Sequence, residues 1–459
     1  MDKISLLKSR KDSLRQESSE VREKIATLID ADSFVELQSY SYSQSEFYGE
    51  SAQGEGVVTG FATIDSNPCY VVAINDKVLG GGLGLGNCNK IVNCMLKAAE
   101  AGAPIIYLLS STGILAGDGV DSLEGVAKLL STAEQLKGNI PQFAICYGKV
   151  LGSATLLVAL SDYTYYVDGA CVAFNSPFVI SAKAGTTLNE EKVGGAANGS
   201  GLCTFKVKDV AEARQGVINV LNVLPYYNGE YQDSNDDLNR NAENLKDKVC
   251  AKCLISAVFD NGNFIELGNT FAKEVVTGIG RVGGYSVASI IFNDENGVEL
   301  TQENVEKVKN FLYYATDNGL PIVTFVNTLG VKQDGKTNAS TVLLSIGNLI
   351  TALNYAADVP QINVITGKAI GLGYTLFASK AYGANYSFAF ANSEVGAVSS
   401  AVGAEMEYAV NKGDKEELKE KFAQIELDPF KAAKGGYLDE VIEPQYVRQY
   451  LIAALQMLI

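Results

Sequence analysis

The 459-residue chain contains no histidine. That single absence removes Ser-His-Asp and Cys-His nucleophilic catalysis, histidine general-base chemistry and every histidine-ligated metal centre. Two classes remain: a protein with no catalytic role, or an enzyme that works through backbone dipoles and a base carried by its substrate or cofactor. Long basic runs are also missing. With 37 Lys and Arg against 53 Asp and Glu, the formal charge is −16, which argues against a general nucleic-acid binder. No uninterrupted apolar stretch reaches membrane-spanning length, and the amino terminus is charged from Asp2 onward. Neither a signal peptide nor direct membrane insertion is expected, and the reading is cytoplasmic. The eight cysteines are scattered, as reduced, buried small residues are, and form no disulfide framework. The one close pair, Cys250-Ala-Lys-Cys253, has neither the second pair nor the histidines a zinc site needs, so no metal is expected.

What the chain does contain, it contains twice. Pro141-Gln142, Gly148-Lys149 and Gly152 recur as Pro360-Gln361, Gly367-Lys368 and Gly371. Val58-Thr-Gly60 recurs as Val276-Thr-Gly278, and Gly102-Ala-Pro-Ile105 as Gly319-Leu-Pro-Ile322, in the same order. A repeat this long is a whole domain rather than a solenoid unit. The division is expected at 1–232 and 233–459, inside the Asn-, Asp- and Gly-rich stretch 226–248.

Helical spacing over residues 2–30 predicts one or two amphipathic helices, followed by a first strand from Phe34. Residues 54–64 and 69–74 read as a hairpin turning at Asp65 to Pro68, residues 90–101 as a helix and 105–109 as a buried parallel strand. The second half repeats the order with helices at 305–318 and 341–357 and strands at 322–326 and 362–365. Each half is therefore α/β with a curved, mostly parallel sheet. Gly278-Ile-Gly280-Arg-Val-Gly283 fits the dinucleotide pattern, but the alternating residues 285–292 after it read as a strand, so it is a hairpin turn.

The two Gly-Lys-x-x-Gly segments are the strongest site candidates. Each follows an apolar strand (143–146 and 362–365) and precedes an apolar helical stretch (154–160 and 374–379), so amides at a helix N-terminus would face a cleft and bind an oxyanion. Taken singly, such glycines serve equally well as plain strand-to-helix turns; their duplication favours the site.

Further motifs are residues 26–37, Gly54-Glu-Gly-Val-Val-Thr-Gly60, Gly80-Gly-Gly-Leu-Gly84, Gly119-Val-Asp-Ser-Leu-Glu-Gly125, and Asp428-Pro-Phe near residues 436–444. Together with the repeat they resemble the carboxyltransferase subunits of biotin-dependent acyl-CoA carboxylases and the related decarboxylase α subunits, from about Ile25 to the C-terminus. The resemblance implies two crotonase-like domains, acyl-CoA on the N-terminal side and biotin on the C-terminal side. It also implies a site shared between the N-domain of one subunit and the C-domain of another. The partners implied are a biotin carboxyl carrier protein with biotin carboxylase or decarboxylase subunits, in a homo-oligomer (a dimer or trimer of dimers) or a hetero-oligomer with a homologue. Carried over motif by motif, the amides of Gly152 and Ser153 hold the thioester oxygen and those of Leu372 and Gly373 the ureido oxygen. Acyl-CoA falls to Gly81, Gly82, Ser111, Thr112, Gly113, Gly148 and Lys149, and biotin to Gly330, Val331, Gly371 and Thr375. The resemblance further implies that the biotin nitrogen takes the α-proton, so that no protein base is needed.

Departures from the family pattern are concentrated at side chains. Ser111-Thr-Gly-Ile-Leu115 stands where the family usually has Ser-Gly-Gly-Ala-Arg. Asn327-Thr-Leu-Gly-Val331 replaces Asp-Val-Pro-Gly-Phe, and Ser345-Ile-Gly-Asn-Leu349 replaces Arg-His-Gly-Ala-Lys. Three functions follow: an active carboxyltransferase component on a short acyl-CoA, the α subunit of a decarboxylase, or a catalytically silent subunit paired with an active homologue.

Overall fold

Two stretches of apolar β-α-β sequence become two sheets of one design. A computed structural model describes residues 2–45, 50–185, 201–225, 234–246, 249–332 and 340–459. It divides into compact units Met1–Asn222 and Val223–Ile459; the stretch 226–248 lies partly outside the described residues. The first unit is entered through helices Lys3–Glu17, with no buried side chain, and Ser19–Leu28, which buries Val21, Ile25 and Leu28.

In the first unit an antiparallel ribbon, Val35–Leu37 with Val57–Ile64 and Asn67–Ile74, leads into parallel strands Ile105–Ser111, Gln142–Leu151, Tyr163–Val167 and Phe205–Val207. In the second, Phe264–Leu267, Val275–Val282 and Tyr285–Phe292 lead into Ile322–Val331, Gln361–Ile370, Tyr386–Phe390 and Glu440–Ile442. Both sheets are mixed and mostly parallel. Ile105–Ser111 is buried throughout, the continuous apolar run of a strand covered on both faces. One face packs Ile105, Tyr107 and Leu109 against Ile91 and Met95 of helix Leu85–Ala101 and Leu129 of helix Val120–Gln135. In the second unit Val323, Phe325, Val364 and Phe390 pack with Leu451 and Leu455 of the last helix, Val447–Leu458.

The duplicated words have local causes. Gly102 (φ +61°) and Gly319 (φ +62°) end helices Leu85–Ala101 and Gln302–Asp317 in the left-handed region. The next residues close the helix ends, Ala103 N–H donating to Ala98 O (3.0 Å) and Leu320 N–H to Ala315 O (2.9 Å). Proline then prevents further helix and the strand begins. Gln142 and Gln361 tie strand to helix, their Nε2 donating to Ala133 O (2.9 Å) and Ala356 O (2.7 Å). Gly283 and Gly284, both at positive φ, are the turn between Val275–Val282 and Tyr285–Phe292, so the dinucleotide-like pattern is a hairpin.

One device was not visible in the sequence. Asp260 accepts both turn amides, Gly283 N–H and Gly284 N–H, at 2.8 Å each, and Arg448 reaches it from the last helix at 2.7 Å. In the first unit Asp30 accepts Asp65 N–H (3.0 Å) and Ser66 N–H (2.7 Å), and Arg214 meets it at 2.8 Å. The hydrogen bonds from Ser66, Thr63 and Asp65 hold the Asp30 carboxyl below its usual range against the opposing desolvation, which is the largest single influence on it.

Candidate active site

The Gly-Lys tracts do not end their strands. Gln142–Leu151 pairs with Ile105–Ser111 in register up to Leu109–Cys146 and resumes at Ser111–Val150. Residues 147–149 therefore bulge opposite Ser110. In the second unit the register slips between Val326–Ile365 and Thr328–Ala369, so residues 366–368 bulge opposite Asn327. The expectation of a turn at Gly-Lys is thus corrected: the strand carries on to Leu151 and Ile370, and the turn into the helix falls at Gly152 and Gly371. The second helix also begins earlier than expected, at Leu372 rather than Tyr374, and runs only to Phe377. Beyond each bulge the strand takes a new neighbour, Cys171–Ala173 beside Lys149–Leu151 and Glu394–Gly396 beside Lys368–Ile370. A bulge bends the strand and lets it serve two neighbours in succession.

Each bulge is fastened by the residue it faces. Ser110 Oγ donates to Asp76 Oδ2 (2.7 Å), and a Cβ on Gly148 would collide with that hydroxyl. Asn327 Oδ1 accepts Lys368 N–H (2.8 Å), its Nδ2 donates to Asp294 O, and a Cβ on Gly367 would collide with its amide group. Ser110, Asp76 and Asp294 fasten the bulges but went unmarked in the sequence, and Asn327 was marked there only as a departure from the family pattern, because the role of all four depends on a register slip with no sequence signal of its own.

The glycines called from the sequence converge. Gly113 (φ +100°) faces Gly152 (φ +57°): a Cβ on Gly113 would lie 3.1 Å from Leu151 O and 3.5 Å from Gly152 Cα. Gly330 (φ +82°) faces the turn at Gly371 (φ +54°), and its Cβ would lie 3.0 Å from Ile370 O, 3.4 Å from Gly373 N and 3.5 Å from Leu372 N. Only glycine leaves these helix ends open to a ligand. Gly81 and Gly82 lie in the loop that zips onto 112–115, where Thr112 N–H donates to Gly80 O (3.1 Å) and Leu83 N–H to Gly113 O (2.7 Å). Ser111 is buried, its Oγ accepting Gly113 N–H at 3.2 Å; Thr112 is exposed.

Four of the expected site residues have partners within the fold. Gly152 N–H already donates to Ala173 O (3.2 Å), as Gly371 N–H does to Gly396 O (2.9 Å), so neither is a spare donor. Ser153 and the following Ala154 in one unit, and Leu372 and Gly373 in the other, occupy first-turn positions whose amides have no acceptor within the helix. Thr375 turns its hydroxyl back onto Gly371 O (3.2 Å), and Val331 is paired in the sheet opposite Leu300. Lys149, exposed, lies in the strand beside Cys171. A 470 Å³ cavity adjoins the second bulge, lined by Asn327, Thr366, Gly367, Lys368, Glu295 and Glu394 among others. Among the described residues no group of three or more Cys, Asp or Glu is placed to hold a metal.

Duplicated sheets whose split central strand feeds a glycine-walled helix end define a crotonase-like protein. The whole of residues 14–459 matches the carboxyl transferase domain model, and the chain belongs to that family of biotin-dependent acyl-CoA carboxylases and decarboxylases. It is 31% identical over 464 residues to the propionyl-CoA carboxylase carboxyltransferase subunit of Haloferax mediterranei, covering 95% of this chain and 90% of that one. It is 31% identical over 456 residues to the methylmalonyl-CoA decarboxylase subunit alpha of Veillonella parvula, covering 95% and 89%. The transcarboxylase 12S core, solved as a hexamer with methylmalonyl-coenzyme A and methylmalonic acid bound, superposes with a TM-score of 0.91 at 25% identity, covering 99% of this chain and 94% of that one. No helix among the described residues is long and apolar enough to cross a membrane.

Proposed function

We propose that this chain is an active carboxyltransferase component, cytoplasmic and at least dimeric, which moves a carboxyl group between carboxybiotin on a separate carrier protein and the α-carbon of a short acyl-CoA. The observation that supports it is the recurrence, in both units, of a strand bulge, a facing glycine and two spare first-turn amides. In the first unit the amides of Ser153 and Ala154 would hold the thioester oxygen as it gains enolate charge, and the loops at Gly81–Gly82 and Ser111–Gly113 with Gly148–Lys149 would receive the rest of the acyl-CoA. In the second, Leu372 and Gly373 would hold the ureido oxygen under the open face of Gly330. Biotin supplies the carboxyl group and a nitrogen base when bound. The residues fit it, because the space a Cβ on Gly330 would fill lies directly over the two amides. Fixed donors of this kind act where charge develops and require no histidine.

The test is carboxyl exchange between methylmalonyl-CoA and free biotin by the purified protein and by Ser153→Pro. Ser153 sits at φ −61°, within proline's own range, so the variant deletes a donor with little distortion. Losing one such donor costs about 3 to 4 kcal/mol, on the order of a hundredfold or more in rate. A second reading, the silent subunit, is favoured by helix Ser340–Tyr355, which has no charged residue. No exchange and no acyl-CoA binding by the unmodified protein, with retained assembly onto an active homologue, decides for it; exchange that depends on a membrane decarboxylase subunit decides for the decarboxylase α reading.

A further inference from the structure

Five of the six free cysteines and the remaining pair have opposite settings; the sixth, Cys171, is half-buried. Cys69, Cys88, Cys94, Cys146 and Cys203 are buried, and burial pushes the thiols of Cys69, Cys88 and Cys94 up to about 12, which makes them inert at neutral pH. Cys250 and Cys253 are half-buried and joined in a disulfide, against the expectation that all eight would be reduced. Cys250 caps helix Ala251–Val258, its Sγ accepting Cys253 N–H at 3.2 Å, and it lines a 310 Å³ cavity with Asn293, Asp294, Glu295 and Asn327.

That cavity is tied to the second bulge. Ala251 N–H, next to Cys250, donates to Asn293 Oδ1 at 3.0 Å. One residue on, Asp294 O accepts from Asn327, whose Oδ1 holds Lys368 N–H at 2.8 Å. The first turn of the cysteine helix, the loop at 293–294 and the bulge at 366–368 therefore share one run of hydrogen bonds.

We propose that Cys250 and Cys253 form a reversible thiol–disulfide exchange site for a small dithiol, and that its state sets how firmly the loop at 293–297 is held against Asn327. A thiolate of the reductant attacks Cys250 Sγ from the cavity; the S–S bond breaks and Cys253 leaves as thiolate. The reductant's second thiolate then attacks its own sulfur in the mixed disulfide, closing a cyclic disulfide and releasing Cys250 as thiolate. Two electrons pass to the protein, and the reductant's two protons end on the cysteines. The Cys253 N–H and the start of the helix favour the released Cys250 thiolate, which makes it a good leaving group. A disulfide in a reducing compartment is as a rule transient or redox-sensing, which suits a reversible pair. The proposal stands whether or not the carboxyltransferase reading does.

The experiment equilibrates the full chain at graded ratios of reduced to oxidised dithiothreitol, quenches with acid, alkylates and reads peptide masses. The expected result is that Cys250 and Cys253 convert together, carrying two labels or none, through a single sigmoid. In a separate pulse of iodoacetamide on the folded, reduced protein at neutral pH, the five buried cysteines should label on the order of a hundredfold more slowly than the pair. In parallel, amide hydrogen exchange of the peptide containing residues 293–297 should quicken at least fivefold on reduction in the unmodified protein. It should not respond to dithiothreitol in the Cys250→Ser/Cys253→Ser double variant. A pair that stays reduced or stays oxidised at every ratio, or that labels one cysteine at a time, overturns the exchange site. Clean interconversion with unchanged exchange at 293–297 overturns the link to the cleft.

Discussion

The two Asp-Arg clamps make a controlled comparison inside one molecule. Arg448 is fully buried, and Asp260 beside it is 8% exposed; Arg448 also donates to Val258 O and lies 3.6 Å from Asp236 Oδ2. Arg448→Met keeps the side chain's apolar volume but leaves Asp260 a buried charge without its hydrogen-bonded arginine, with the Gly283 and Gly284 amides and the more distant charge of Arg281 remaining. Removing one partner of a buried pair typically costs about 3 to 5 kcal/mol. Arg214 and Asp30 are 29% and 26% exposed, so Arg214→Met leaves a carboxylate that water reaches, at a cost of about 0 to 1 kcal/mol. For a unit of this size 1 kcal/mol shifts the melting temperature by about 2 to 4 °C, so the first substitution should lower it by roughly 10 °C and the second by a few degrees at most. Calorimetry of the full chain reads both, and adding Asp260→Asn to Arg448→Met should recover part of the loss. Equal shifts for the two arginines would refute the argument that burial, rather than the shared geometry, sets the cost.

Other expectations follow from the same structure. Gly330→Ala should reduce carboxyl exchange at least tenfold, whereas Gly319→Ala, equally strained at positive φ but with nothing within 4 Å of its Cβ, should keep it; parallel losses would mean strain, not access, is responsible. Lys90, buried with its ammonium donating to Gly54 O (2.8 Å) and Val57 O, is pushed by desolvation down to about 8. Its folded value lies below the unfolded one, so the protein gains stability as pH rises from about 8 toward the unfolded range near 10.5. Urea titrations should show the unmodified protein gaining about 2 kcal/mol over Lys90→Met between pH 7.5 and 9.5; a constant difference would sink the assignment. A shared site requires at least a dimer, and sedimentation at micromolar concentration that finds monomer alone counts against it.

The repeat was legible because it records unavoidable local needs: a glycine to stop a helix, a proline after it, a glutamine to tie strand to helix. The fold class follows from those words and the apolar runs between them. The site was only half legible. Gly152 and Gly371 stood out through the repeat and Gly113 and Gly330 through the family resemblance, and all four take positive φ, which favours glycine. The bulges were not, since Gly-Lys reads locally as a turn, and only pairing with Leu109 and Val326 reveals the slip. Nor does the sequence show that the Gly152 amide is bonded to Ala173, which sits on a strand whose placement it does not announce. The clamps escaped notice for a plainer reason: Asp30 and Arg214 are 184 residues apart, Asp260 and Arg448 are 188, and the segments around them share no common word.

That span has a consequence for the order in which the protein is made. The hairpin of each unit is among the first parts to leave the ribosome, yet the arginine that locks its turn is among the last. The first unit's lock, Arg214, emerges before the second unit's sheet has been synthesised, so the first unit completes itself while the rest is still being built. The second unit's lock, Arg448, lies on helix Val447–Leu458, 188 residues after Asp260. Until that helix emerges, Asp260 waits for its arginine with the turn amides and Arg281 beside it, and a finished first unit stands tethered to a second that lacks its lock.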